Sequence, residues 1–222
     1  MKIACVIPTF NEEHTIKKVS KQASKFCESV LVVDDGSIDR TVSRALEGGA
    51  HVVSHLINLG TGAAISTGIK IALDGGANVI ITMDGDGQHD PNDIPNLLEP
   101  ILSGKADVTI GSRFLGNIEC MPFHKRIGNR TLSIMNSILF NEKFTDTQSG
   151  FRAYSREVFA SVMHESSDYS WASEMLIRII RSRFKCIEVP IKTIYIKERG
   201  RGTSIIDGLR IFLRILRLKG KS

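Results

Sequence analysis

Short apolar runs recur along the first half of the chain, and each stops at a cluster of small polar residues. Residues 2–8 (KIACVIP), 29–33 (SVLVV), 51–54 (HVVS), 79–83 (VIITM) and 107–110 (DVTI) read as strands, with 2–8 and 79–83 having the length and branching of buried ones. Between them, apolar positions recur at helical spacing. These predict helices from about Glu12 to Lys25, from Asp39 as cap through Glu47, from about Thr61 to Leu73, and onward from Asp90 and Pro91. Strands alternating with helices at this interval predict an α/β fold with a doubly wound, mostly parallel sheet.

The pattern changes after Arg113. Residues 114–122 read as a loop, and a basic stretch (His124, Lys125, Arg126, Arg130) leads into a helix carrying Leu132, Ile134, Met135 and Ile138. Residues 145–155 (TDTQSGFRAYS) read as a turn-rich segment containing Asp146, Gln148 and Arg152. A helix near 171–182 and strands at 184–189 and 191–196 complete a single domain, 1–202. Residues 203–222 form a separate extension. In 203–219, Ile205, Ile206, Leu209, Phe212, Leu213 and Leu216 make a wide apolar stripe, with Arg210, Arg214, Arg217 and Lys219 mainly opposite. Such a helix lies in a membrane interface, or packs on its own core or a second subunit.

In an open α/β sheet, ligands gather beyond the carboxyl ends of the strands. Here that edge collects the loops 8–12, 34–37, 84–88 and 111–113. The loop after residues 79–83 holds Asp84 and Asp86 at alternate positions, each followed by glycine, then Gln88, His89, Asp90 and Pro91. Two carboxylates with small neighbours suit a hard divalent cation that also carries substrate phosphates. Asp90 and Pro91 read as helix cap and first helical residue, and His89 as a bystander. A dehydrogenase fingerprint would need GxGxxG after the first strand, where the chain reads PTFNEE, and the Walker A lysine spacing is absent.

Charge sharpens this picture. Residues 1–111 hold 9 Lys/Arg against 14 Asp/Glu, and residues 112–222 hold 20 against 10, within an overall +5. An acidic half able to hold a metal precedes a basic half able to hold anions. Aromatics make up only 6% of the chain and are not interleaved with the basic residues, which argues against a nucleic-acid or other non-catalytic binding module. The four cysteines are far apart with no metal-ligand spacing. No apolar run reaches the ~18 residues that span a bilayer, and there is no signal-peptide pattern. The expectation is a cytoplasmic protein.

Taken together, VIPTFNEE, VVDDGSIDRT, NLGTGAAISTGI, MDGDGQHDP, GSRF and DTQSGFRAYS resemble family 2 glycosyltransferases of the GT-A fold, over about residues 2–200. Within them the chain looks most like the dolichyl- or polyprenyl-phosphate sugar synthases. The resemblance implies transfer of a sugar, with inversion, from a nucleotide-diphosphate sugar to a lipid phosphate at the cytoplasmic face of a membrane. The form DTQSGF leans toward a UDP-sugar such as UDP-glucose or UDP-N-acetylglucosamine rather than GDP-mannose.

By the same resemblance, Pro8, Phe10 and Glu12 match a nucleotide-contacting block whose aromatic is usually Tyr. Val33 and Asp35 match positions that meet base and ribose. Asp84, Gly85, Asp86 and Gln88 match the motif holding diphosphate and metal (Mg²⁺ or Mn²⁺), with Asp86 and Gln88 the direct ligands. Arg113 matches a phosphate-binding arginine, Lys125 and Arg126 an acceptor-phosphate cluster, and Arg199 a donor contact. The lysine that follows in the family falls near Ile205, so that contact is missing or supplied by Arg201. Asp86, Arg113 and Arg126 are the expected catalytic groups. The extension is expected to meet a membrane surface, a homo-oligomer or a membrane-protein partner. The alternative is transfer to a soluble or protein hydroxyl, which needs a carboxylate base such as Asp146 or Glu174.

Overall fold

A computed structural model of the chain describes residues 1–116, 130, 133–134, 143–162 and 171–194. Lys125, Arg126, Arg199, Arg201 and the 203–222 extension lie outside the described residues. Strands β1 (Ile3–Thr9), β2 (Ser29–Asp34), β3 (His51–Ser54), β4 (Val79–Thr82), β5 (Val108–Ser112), β6 (Arg152–Ser155) and β7 (Cys186–Pro190) form one sheet in the order β3-β2-β1-β4-β6-β5-β7. Helices α1 (Ile16–Ala23), α2 (Thr41–Glu47), α3 (Thr61–Asp74), α4 (Ile94–Leu102), α5 (Val158–Ser161) and α6 (Trp171–Arg181) complete the described elements.

Alternation along the strands divides the core between two faces. Ala4 and Val6 of β1 join Ile65, Ile69, Ile80, Tyr154, Trp171 and Met175 on the face covered by α3 and α6. Cys5 and Ile7 join Ile16, Val19, Val32, Ile81, Ile94, Leu97 and Phe151 on the face covered by α1 and α4. Strands buried on both sides need continuous apolar runs, which is what the sequence supplies. Parallel pairing of β1 with β2 and β4, and of β5 with β7, aligns their carboxyl ends on one edge.

The expected mixed α/β fold with a mostly parallel sheet is present, with three corrections. Residues 145–155 are not turn throughout: β6 occupies Arg152–Ser155 and pairs antiparallel with both β4 and β5. It is too short for periodicity to reveal, and its first residue is a charged arginine. The helix expected from Glu12 begins at Ile16, because residues 12–15 form a turn in which the Glu12 carbonyl accepts both Thr15 N–H and Ile16 N–H. Within Ile191–Ile194 there is only a bridge between His89 and Thr193, not a strand. Asp90 accepts Asn92 N–H, and Pro91 opens a 3₁₀ turn (Pro91–Asp93) that runs into α4, as the sequence suggests.

Candidate active site

The first wall of the site is built where β1 and β2 end together. Pro8 lies opposite Val33 in the ladder, and Asp35 N–H donates to Thr9 O at 2.8 Å. Beyond them, Asn11 takes a left-handed φ of 58°. Its N–H donates to Ser37 Oγ, and its side-chain carbonyl accepts Ile38 N–H. The turn leaves the Phe10 side chain exposed at the mouth. Glu12 is tied by its N–H to Thr41 Oγ1 at 2.7 Å. Asp35 is buried, and its carboxylate accepts from His55 Nδ1, Leu59 N–H and Gly60 N–H.

The acidic loop sits against this wall because Gly85 has no side chain. A Cβ there would lie 2.5 Å from Thr9 Cγ2 and 3.3 Å from Pro8 O. Thr15 hydroxyl donates to Gly85 O at 2.8 Å and fixes the approach. Asp86 accepts Gln88 N–H at Oδ1 (2.9 Å) and the Gln88 side-chain amide at Oδ2 (2.6 Å). Gln88 therefore orients Asp86. Removal from water raises the Asp86 pKa, and the Asp84 charge raises it further; His89 and the Gln88 bonds oppose this. Asp84 is also raised by desolvation, against the pull of Arg113 and Arg152, although 42% of its side chain stays accessible to the cleft.

Neighbouring carboxylates that resist joint ionisation favour a counter-cation. Among the described residues no three His, Cys, Asp or Glu side chains gather as a ready cage. The pair Asp84–Asp86 therefore suits a hard divalent ion completed by oxygens of a phosphate ligand and water. His89 is no part of such a set. It is buried, stacks on Phe151 at 5.1 Å, and its Nδ1 accepts Asp84 N–H at 3.3 Å. Desolvation pushes its pKa down to about 4, so it is neutral.

The opposite wall comes from the end of β5. Arg113 donates from Nε and Nη2 to the two oxygens of the fully buried Asp146. Glu188 of β7 in turn accepts Thr145 N–H, Thr145 hydroxyl and Asp146 N–H. The turn before β6 brings this pair beside the acidic loop. A Cβ on Gly150 would lie 3.0 Å from Asp84 Oδ1. The edge thus brings together Pro8, Val33, Asp35, Asp84, Gly85, Asp86, Gln88 and Arg113, with Phe10 and Glu12 on the adjoining loop.

Two residues of consequence escape a reading of the sequence. Arg152 is completely buried, donates to the carbonyls of Ser149, Ala172 and Thr147 at 2.8 Å each, and packs over Trp171. Its signal is an arginine flanked by Phe151, Ala153 and Tyr154. His55 links Asp35 to Thr67 of α3; its signal is a histidine immediately past the end of a short edge strand.

Comparison with known proteins gives consistent matches. The model of the family described as "Glycosyl transferase family 2" matches residues 4–163. The chain is 35% identical, over 98% of its length and 96% of the relative's, to a UDP-N-acetylglucosamine–dolichyl-phosphate N-acetylglucosaminyltransferase of Methanococcus voltae. It is 32% identical, over 93% and 81% respectively, to a polyprenol monophosphomannose synthase of Mycolicibacterium smegmatis. In fold it is similar to glucosyl-3-phosphoglycerate synthase of Mycobacterium tuberculosis, crystallised with Mn²⁺, UDP and phosphoglyceric acid. That similarity has a TM-score of 0.79 and 22% identity, covering 99% of this chain and 78% of the other.

Proposed function

The chain belongs to glycosyltransferase family 2, and from that premise we propose that it moves a sugar from a nucleotide-diphosphate sugar, UDP-linked in preference to GDP-linked, onto a polyprenyl or dolichyl phosphate at a membrane surface. The observation that carries this reading is the single sheet edge on which Asp35, the pair Asp84–Asp86 and the ion pair Arg113–Asp146 converge. The relatives' names support the lipid-phosphate acceptor, and the name of the Methanococcus voltae relative supports a UDP-sugar donor.

In this reading Pro8, Phe10, Val33 and Asp35 hold the nucleoside, and Glu12 steadies the loop between them. Asp86 and Gln88, with Asp84, would hold Mg²⁺ or Mn²⁺, which would offset charge developing on the leaving diphosphate. Arg113 meets phosphate, aimed by Asp146. Lys125 and Arg126 are proposed to meet the acceptor phosphate, and Arg199 to contact the donor.

A lipid monophosphate is already an anionic nucleophile, so the chain's task is placement, which is itself worth several kcal/mol. Transfer to a hydroxyl needs a free carboxylate base. The two candidates are committed elsewhere: Asp146 spends both oxygens on Arg113, and Glu174, buried, pairs with Arg178. This favours the phosphate acceptor.

Among the described residues no helix is long and apolar enough to cross a membrane. The basic amphipathic pattern at 203–219 is the segment proposed to meet the bilayer. The deciding experiment incubates the full chain with dolichyl phosphate vesicles and labelled UDP- and GDP-sugars, with and without EDTA. A lipid-linked product that forms from a UDP-sugar and disappears with EDTA is expected. No lipid-linked product from any donor would refute the proposal.

A further inference from the structure

His55 is not among the residues carried over from the family, yet it holds the carboxylate of Asp35 from the protein side. The two side chains keep only 11% and 4% of their surface accessible. A carboxylate oxygen accepts, so the His55 nitrogen 2.8 Å from Oδ1 is assigned as the donor. The other ring nitrogen lies 3.0 Å from Thr67 Oγ1 on α3, which locks the ring from behind. Leu59 N–H also donates to Oδ1 at 2.9 Å, and Gly60 N–H donates to Oδ2 at 2.7 Å.

A carboxylate has about four accepting positions, two on each oxygen. Among the described residues Oδ1 has both filled and Oδ2 has one filled. Asp35 thus retains a single position, on Oδ2, for a ligand donor.

Nucleobases differ on this count. Guanine presents two adjacent donors, N1–H and the N2 amine, which a carboxylate meets with both oxygens in parallel. Uracil presents one imide N–H between two carbonyls. Cytosine has no imide N–H at that position.

We propose that His55 is a specificity-determining residue: by occupying Oδ1 it leaves Asp35 one acceptor for the uracil imide and closes it to guanine's two-pronged edge. The inference rests on the proposed placement of the donor nucleoside at Asp35. It reaches the base through Asp35, so His55 is a positioning residue and not a catalytic one.

The test is titration calorimetry of the full chain with UDP, GDP and CDP in Mn²⁺, which needs no acceptor. Wild type is expected to bind UDP at least ~10-fold more tightly than either other nucleotide. His55→Leu frees one position on Oδ1 and should shrink the UDP:GDP ratio at least ~5-fold. His55→Asn keeps a donor toward Oδ1 and should restore most of it, a rescue that a purely structural role does not produce. If His55→Leu does not fold, Thr67→Val, which unlocks the ring, should shrink the ratio at least ~3-fold.

An unchanged ratio in the folded variant overturns the proposal. So does equal binding of UDP and GDP by wild type, which would put a ribose hydroxyl on Oδ2. Binding of no nucleotide at all would instead remove the glycosyltransferase site reading on which this one stands.

Discussion

Asp146 and Arg113 lie 33 residues apart and are joined by two parallel bonds, Nε–Oδ2 at 2.6 Å and Nη2–Oδ1 at 2.7 Å. A third contact runs from Arg113 N–H to Asp146 Oδ2 at 3.1 Å. The carboxylate is fully buried while the guanidinium keeps 17% of its side chain accessible. The pair is therefore asymmetric: one partner is locked in the protein and the other is aimed toward the cleft. Breaking a buried pair by removing one partner costs about 3–5 kcal/mol. Asp146→Ala is expected to lose that much in urea unfolding. Asp146→Asn keeps the shape but surrenders the charge, and is expected to reduce kcat/KM for transfer by ~10²-fold with a smaller loss of stability. Unfolding curves and transfer rates on the same two preparations separate the effects.

The acidic loop carries the opposite trade. Asp86 has a raised pKa in the fold, so ionising it at neutral pH works against the folded state. That penalty is present above the folded pKa and disappears as pH falls through it toward the ordinary aspartate value. Asp86→Asn removes it. The expected result in metal-free buffer at pH 7 is a higher Tm, by about 2–4 °C for each kcal/mol relieved. Transfer should fall below detection and Mn²⁺ should no longer raise the Tm. A lower Tm together with wild-type turnover would contradict the assignment of Asp86.

Legibility in the sequence followed burial. Strands buried on both faces need continuous apolar runs, so β1, β2 and β4 are plain from composition alone. The loops after them announce themselves as carboxylates and glycines where the runs stop. β6 escaped because its signal is inverted. Arg152 is a charge whose partners are three backbone carbonyls, and no local pattern records carbonyls arriving from 147, 149 and 172. His55 escaped for a related reason, since its two partners lie 20 and 12 residues away. Asp146 was visible as a residue, but its commitment to Arg113 depends on the antiparallel insertion of β6 beside β5.

His89 gives a prediction about acid stability. Its pKa falls from 6.5 to about 4 on folding, chiefly through loss of water. Between those values the unfolded chain binds a proton that the folded one does not. Stability therefore rises with pH across this window, and falls as pH drops from about 6.5 toward 4. The slope is at most about 1.4 kcal/mol per pH unit for one proton. His89→Phe keeps a ring against Phe151 and removes the titration. Denaturant unfolding at several pH values between 4 and 7 should show a flatter profile for the variant. Parallel profiles would assign the acid sensitivity elsewhere.

The buried guanidinium of Arg152 explains how the turn before β6 stays against the acidic loop. Arg152 donates to Ser149, Thr147 and Ala172, which come from two sides, and only a planar fork reaches all three. Replacing a buried ionic group by an apolar one is often harmless. Here it is not, because the three carbonyls stay behind without donors, and each orphaned buried group costs about 1–3 kcal/mol. Arg152→Met is therefore expected to lose at least about 3 kcal/mol. Arg152→Lys should recover part of it, since an ammonium satisfies one or two carbonyls but not all three. The loss has a local signature as well. Gly150 packs against Asp84, where an added Cβ would lie 3.0 Å from Oδ1, so a loosened turn reaches the metal-holding carboxylates. Amide exchange at Ser149–Phe151 should speed up in Arg152→Lys under native conditions, and donor KM should rise while amide protection in β1 and β2 stays at wild-type level. Exchange that quickens uniformly across the sheet would reduce Arg152 to a general contributor to stability.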